Sequence, residues 1–280
     1  MKEIKDGIYV ETGYQGANVG FIATDGGAVL VDTPMLPADA WRWLRRVARI
    51  VTGGLAYLVN TDYHGSHILG NCFFPAVIIA HELTWREVKT HGEALLQQYI
   101  DEYKEKEPQV ATELAEVKIV APEVTITDNL MLHKGGRAIE VIYLGGHTPA
   151  SIGVHVADSK ALFTGDVVVT GRHPSLAEAQ TEQWLQALER IRGMDVEVIV
   201  PGHGEPCDLA ATESLSAYIS EMRQRVETLY RAGASRREAV EKVRMAMIDH
   251  FPVRAENREA AAARLRASIE RIYEEIRKGQ

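Results

Sequence analysis

Five short apolar runs in this chain each stop in, or carry, a polar cluster, and that repetition constrains the fold more than any other feature. The sharpest case is "LVNTDYHGSHILGN", Leu58 to Asn71, where Asp62, His64 and Ser66 fall at every second position and His67 follows at once. The others are "VDTP" with Asp32, "LGGHT" with His147, "LFTGDVVV" with Asp166 and "VIVPGHG" with His203. Short runs of Val, Ile and Leu closed by Gly, Asp or Pro read as β-strands. Many such strands alternating with helical stretches predict facing sheets with helices outside, because every sheet face must be buried. Four of the ten histidines and three aspartates sit at these predicted strand ends. Neutral imidazoles and carboxylates converging on one point are the usual shell of Zn²⁺, Fe²⁺ or Mn²⁺. A lone His in a β-rich chain is ordinarily core or surface filler, so His81, His91, His133, His155 and His250 are given no role.

The remaining pattern fills in the architecture. "GIYVETG", "NVGFIATDGGAVLVDTP" and "GLAYLVNT" read as strands, with "TDGGA" as a hairpin turn because Asp and Gly tolerate φ > 0. "ADAWRWLRRVARIV" has helical spacing of Trp41, Leu44, Val47 and Ile50. A polar, helix-favouring segment runs from about residue 84 to 116 and should break near Pro108. A second β-rich stretch leads to a helix over "LAEAQTEQWLQALERIRG" and then to the strand "EVIVPGHG". Beyond Cys207 the chain reads as helical, with Ser235 and Glu238 spaced as a capping box. These readings divide it into a catalytic domain over 1–208 and a helical extension over 209–280, packed on the core.

Composition narrows the function. No stretch approaches ~18 uninterrupted apolar residues, so no membrane-spanning helix is expected. The start, "MKEIKDGIYV", lacks a secretory pattern, and Cys72 and Cys207 are the only cysteines, so a cytoplasmic setting without disulfides is expected. The net charge is −8, with no basic cluster interleaved with aromatics, which argues against nucleic acid. The expected partner is a small-molecule substrate, with neither nucleic acid nor membrane; a homo-oligomer is compatible with the sequence.

These motifs, in this order and at this approximate spacing from about Gly7 to Pro206, resemble the metallo-β-lactamase superfamily. The resemblance implies an α+β fold, a four-layer αββα sandwich with one or two metal ions at an edge between the sheets. The family signature is H-x-H-x-D-H. Here the matching positions hold Asp62, Tyr63, His64, Gly65, Ser66 and His67. His64, His67, His147, Asp166 and His203 carry over directly, whereas Asp62 stands where a His is usual and Ser66 where the Asp is usual. The family's usual set is five imidazoles and two carboxylates; this chain offers four imidazoles with Asp62 and Asp166, so the carboxylate count is kept.

The resemblance implies a metal-dependent hydrolase acting on an ester, lactone, thioester, amide or related bond, with Zn²⁺ as the expected ion and Fe²⁺ or Mn²⁺ as alternatives. One ion would take Asp62, His64, His147 and a bridging Asp166. A second, more open position would take His67, His203 and Asp166. Asp62 or Asp166 would handle the proton that the signature Asp handles in the family. Asp32 is expected to steady the signature loop by hydrogen bonds. Ser66 is too weak a donor to replace a carboxylate, and His173 faces either substrate or solvent. Two other readings compete: a mononuclear non-haem iron oxygenase of the persulfide-dioxygenase type, and a degenerate, metal-poor binding protein.

Overall fold

Continuous apolar runs such as "GAVLV", buried at every position, demand cover on both faces, and the chain supplies it with a second sheet and with helices. A computed structural model describes residues 1–279; Gln280, the last residue of the expected extension, lies outside the described residues. The strands β1 (Lys2–Lys5), β2 (Ile8–Glu11), β3 (Val19–Thr24) and β4 (Gly27–Val31) form an antiparallel meander. Thr24 pairs with Gly27, so Asp25 and Gly26 make the two-residue turn, and the positive φ of +112° falls on Gly27. Helix α1 (Pro37–Ile50) then crosses to β5 (Leu55–Val59), which pairs parallel to β4. A single turn, α2 (Gly65–Ile68), leads to β6 (Val77–His81). Next come α3 (Glu82–Lys106), α4 (Pro108–Leu114) and the edge strand β7 (Val124–Ile126). Helices α3 and α4 meet at Pro108, whose missing N–H suits a first helical position.

The second sheet runs β12-β11-β10-β9-β8. It comprises β8 (Leu130–Lys134), β9 (Arg137–Tyr143), β10 (Ile152–Val156), β11 (Ala161–Val169) and β12 (Val198–His203), the last parallel to β11 and reached through α5 (Thr181–Arg192). The helices α6 (Ala210–Arg231), α7 (Arg236–Met247) and α8 (Arg258–Lys278) complete the described chain, and α7 carries the Ser235–Glu238 capping box. Period-two burial sets the layers. Val29 and Val31 of β4 pack between the sheets with Val59, Val141, Val154 and Phe163, while Ala28 and Leu30 face Trp43 and Val47 of α1. On the second sheet, Leu162 and Ile199 face outward onto Trp184, Leu188, Tyr218 and Ile219, and the same apolar cluster reaches Leu265 and Ile269 of α8. The result is the four-layer αββα sandwich. Among the described residues no helix is long and apolar enough to cross a membrane.

Two sequence expectations shift. The buried face of α1 is Ala40, Trp43 and Val47, whereas Trp41 and Ile50 are 49% and 38% exposed. The small Ala40 lets the helix approach the sheet, and Trp43 then meets Phe21 edge-on at 5.6 Å. Helix α5 begins at Thr181 rather than at Leu176, because the preceding backbone bonds elsewhere. Leu176 N–H donates to Ser268, Gln180 N–H donates to the Gly146 carbonyl, and the Ala179 carbonyl accepts from Arg271.

Trp184 links this packing to the site. It is fully buried, donates Nε1–H to the Val167 carbonyl at 2.8 Å and sets its ring against His147 at 5.1 Å. Trp184→Ala is expected to cost about 3–5 kcal/mol of stability. Denaturant unfolding checks it; a loss under about 1 kcal/mol would mean that the layer repacks freely.

Candidate metal centre

The segment after β5 turns where its sequence alternation suggests extension. Residues 61–64 are bends, and α2 starts at Gly65. Asp62 and His64 still meet, because Asp62 Oδ1 accepts the His64 backbone N–H at 2.8 Å in a local turn. The alternation therefore pairs the right residues for a different physical reason. Asp62 is 1% exposed, and its Oδ2 faces His64 Nδ1 at 3.3 Å and His147 Nε2 at 3.6 Å. Asp62, His64 and His147 each bring a donor atom within 4.8 Å of the others.

A second set, His67, Asp166 and His203, meets the same criterion. His203 ends β12, but Asp166 lies inside β11 rather than at its end. There the pairing with β12 slips around Gly165, whose φ is +50°, and the irregularity turns the Asp166 carboxylate inward. Glycines near the site make room for the protein's own side chains. A Cβ on Gly202 would fall 2.0 Å from Asp166 Oδ1. Gly202→Ala is thus expected to displace that carboxylate and weaken metal binding on the order of tenfold or more; unchanged metal content on elemental analysis would contradict this packing.

Asp166 joins the two sets. Its Oδ2 is 3.6 Å from His147 Nε2, and its Oδ1 is 3.6 Å from His67 Nε2 and 3.5 Å from His203 Nε2. Asp166 Oδ1 and His67 Nε2 are both buried without a hydrogen-bond partner. Buried polar atoms are almost always satisfied, so two such atoms facing one another fit a cation between them. The outward nitrogens are already held. His67 Nδ1–H donates to Asp32 Oδ2 at 2.8 Å, His147 Nδ1–H donates to the Ser175 carbonyl at 3.2 Å, and His64 Nε2 lies 3.4 Å from Glu178 Oε1. That leaves His67 Nε2, His147 Nε2 and His64 Nδ1 for an ion.

Asp32 has φ +56°, uncommon outside glycine, and its carboxylate also accepts the Thr61 N–H and hydroxyl at 2.8 and 2.7 Å. Burial opposes ionisation of Asp62, yet His67 and His64 hold its pKa below the usual carboxylate range. Burial likewise opposes charge on His64, but Asp62 and Glu178 push its pKa up to about 10. His203 is drawn down to about 4, by burial first and then by Arg172, against the pull of Asp166. Such a charge cluster resolves when protons leave and a cation enters.

Ser66 lines the cavity over this cluster, which has a volume of about 350 Å³. His173 is 2% exposed, which corrects the surface-loop alternative. Its ring accepts from the Tyr218 hydroxyl at 2.7 Å and donates to the Ile248 carbonyl at 3.2 Å, so both nitrogens serve the C-terminal helices. Glu178 escaped sequence reasoning: it accepts from the Tyr63 hydroxyl at 2.5 Å as well as facing His64, from a segment that reads as helix. Arg172 and Arg264 also line the cavity, and no sequence motif marks either of them.

Several known proteins resemble this chain. An acyl-coenzyme A thioesterase of Bos taurus is 33% identical over 93 residues, which is 31% of this chain and 33% of the relative, so the match spans a third of that protein's length. A hydroxyacylglutathione hydrolase of Methylococcus capsulatus is 25% identical over 65% of this chain and 62% of its own. Among solved structures, a metallo-beta-lactamase family protein of Thermus thermophilus superposes with a TM-score of 0.67 at 18% identity, covering 98% of this chain and 95% of that one. That likeness extends through the C-terminal helices. The family model of the metallo-beta-lactamase superfamily matches residues 12–203, and the chain belongs to that superfamily.

Proposed function

We propose that the protein is a dinuclear metal-dependent hydrolase of ester or thioester bonds. The observation that carries this reading is Asp166, whose two oxygens face the two donor sets while, among the described residues, Oδ1 and His67 Nε2 have no hydrogen-bond partner. Asp62, His64, His147 and Asp166 would hold one ion, and His67, His203 and Asp166 the other. Bound divalent metal, with Zn²⁺ the expected ion, supplies Lewis acidity and lowers the pKa of a bound water from ~16 toward ~7. The protein's own groups do the rest. Asp32, Glu178 and the Ser175 carbonyl fix three of the imidazoles. With a hydroxyl at Ser66, Asp62 and Asp166, the carboxylates within the cluster, would be the groups available to take up a proton there. Ser66 lines the cavity as a wall group, so Ser66→Ala is expected to leave metal content within about twofold.

Acyl thioesters head the substrate panel, because one relative is named an acyl-coenzyme A thioesterase and another a hydroxyacylglutathione hydrolase. The test assays metal-loaded protein against esters, lactones, thioesters, β-lactams and phosphodiesters, with His147→Ala as control. Turnover of an ester or thioester that His147→Ala abolishes supports the reading; turnover that survives in His147→Ala contradicts it. Each donor set taken alone is two imidazoles and one carboxylate, the composition that suits non-haem Fe²⁺. The iron-oxygenase reading therefore stands as the second one, and it predicts oxygen consumption in place of hydrolysis.

A further inference from the structure

Two guanidinium groups stand in the wall of the metal cavity, and among the described residues neither has a carboxylate partner of its own. Arg172 lies in the loop after β11 and Arg264 on α8, so one comes from the sandwich and the other from the C-terminal helices. Among the described residues Arg172 has neither hydrogen bond nor ion pair, and burial holds its pKa down. Arg264 donates to the His173 carbonyl at 3.2 Å, and burial and then the Arg172 charge bring its pKa down to about 10. The anion both feel is Asp166, which already faces three imidazoles. Glu102, the other acid in the wall, is paired with Lys106 at 3.0 Å.

Placing two cations together in a half-buried cavity costs free energy unless an anion sits between them. Composition does not force the arrangement, because the chain carries a net charge of −8. The space also continues past them. Arg172, His173 and Arg264 line a second cavity of about 500 Å³, also lined by Pro252, Val253 and Ala260. A ligand anchored at the guanidinium groups therefore has room to extend over the connection between α7 and α8.

We propose that Arg172 and Arg264 form an anion subsite, which takes a carboxylate, sulfate or phosphate group carried by the substrate away from its scissile bond. The planar fork of arginine suits such oxygens, and two forks fix the substrate's orientation over the metal cluster. What is cleaved rests on the hydrolase reading; what is bound does not.

Two measurements on metal-loaded protein test the subsite. Sulfate is titrated by calorimetry against the wild type and Arg172→Gln, and affinity should fall on the order of tenfold in the variant. A matched pair of aryl thioesters, one with a carboxylate in its tail and one neutral, is then assayed. Arg172→Gln and Arg264→Gln should raise KM for the anionic thioester on the order of tenfold and leave kcat/KM for the neutral one within about twofold. If Arg264→Gln fails to fold, Arg172→Gln carries the test alone, since among the described residues that side chain makes no hydrogen bond or ion pair. Equal sulfate affinity in wild type and variant overturns the subsite, as does an equal loss for both thioesters. Weaker sulfate binding in the variant with no thioester cleaved by the wild type sinks the hydrolase reading and leaves the subsite standing.

Discussion

Asp166→Ala is expected to strip most of the divalent metal from both halves of the site. Its oxygens face imidazoles of both donor sets at 3.5 to 3.6 Å, closer to the second set than Asp62, whose Oδ1 is 4.0 Å from His67 Nε2. Removing it takes away the anion that makes a cation favourable beside His67, His147 and His203. Even hydrogen-bond partners behind metal ligands cost ~10- to 100-fold in metal affinity when lost. Loss of a shared ligand should therefore exceed about 100-fold, and activity should fall with it. Elemental analysis after dialysis against a weak chelator checks this. Full metal retention would show that the two sets bind independently of Asp166.

Asp62→Asn is expected to weaken metal binding by about tenfold or more while leaving the fold intact. The structure makes this a clean comparison. Asn can still accept the His64 N–H through its Oδ1, so the local turn survives, while the Oδ2 acceptor and the negative charge facing His64, His147 and His67 are lost. Asp62 is buried and held ionised by His67 and His64, so its charge is part of what the cluster offers a cation. Competition with a chromogenic chelator reads the affinity, and circular dichroism with thermal melting reads the fold. Near-wild-type affinity would instead make Asp62 a positioning residue that only ties down His64.

Strand-end histidines were the most legible part of the sequence. His64, His67, His147 and His203 are single residues at predictable ends of apolar runs, and parallel or adjacent strands bring such ends together. Asp166 was legible as a candidate but not as a mid-strand residue, because a ladder slip around Gly165 depends on the partner strand, not on local pattern. Trp41 and Trp43 lie two apart on α1, and which one the sheet accepts depends on tertiary fit. Glu178 was hidden for another reason. Its segment has helical composition, and bonds to residues distant in sequence, among them Gly146, Ser268 and Arg271, hold it as a loop. Arg264 sits among many charges on a polar helix, so its place in the cavity wall follows only from how α8 lies across the second sheet.

If one buried cluster, joined by Asp166, holds two metal ions, the stoichiometry of the purified, metal-loaded protein must show it. Elemental analysis of the wild type and of His203→Ala reads that number. About two divalent ions per chain are expected, falling to about one in His203→Ala because only the His67–Asp166–His203 half is broken. One iron per chain, unchanged in His203→Ala, or no bound metal in the wild type, would contradict a dinuclear centre.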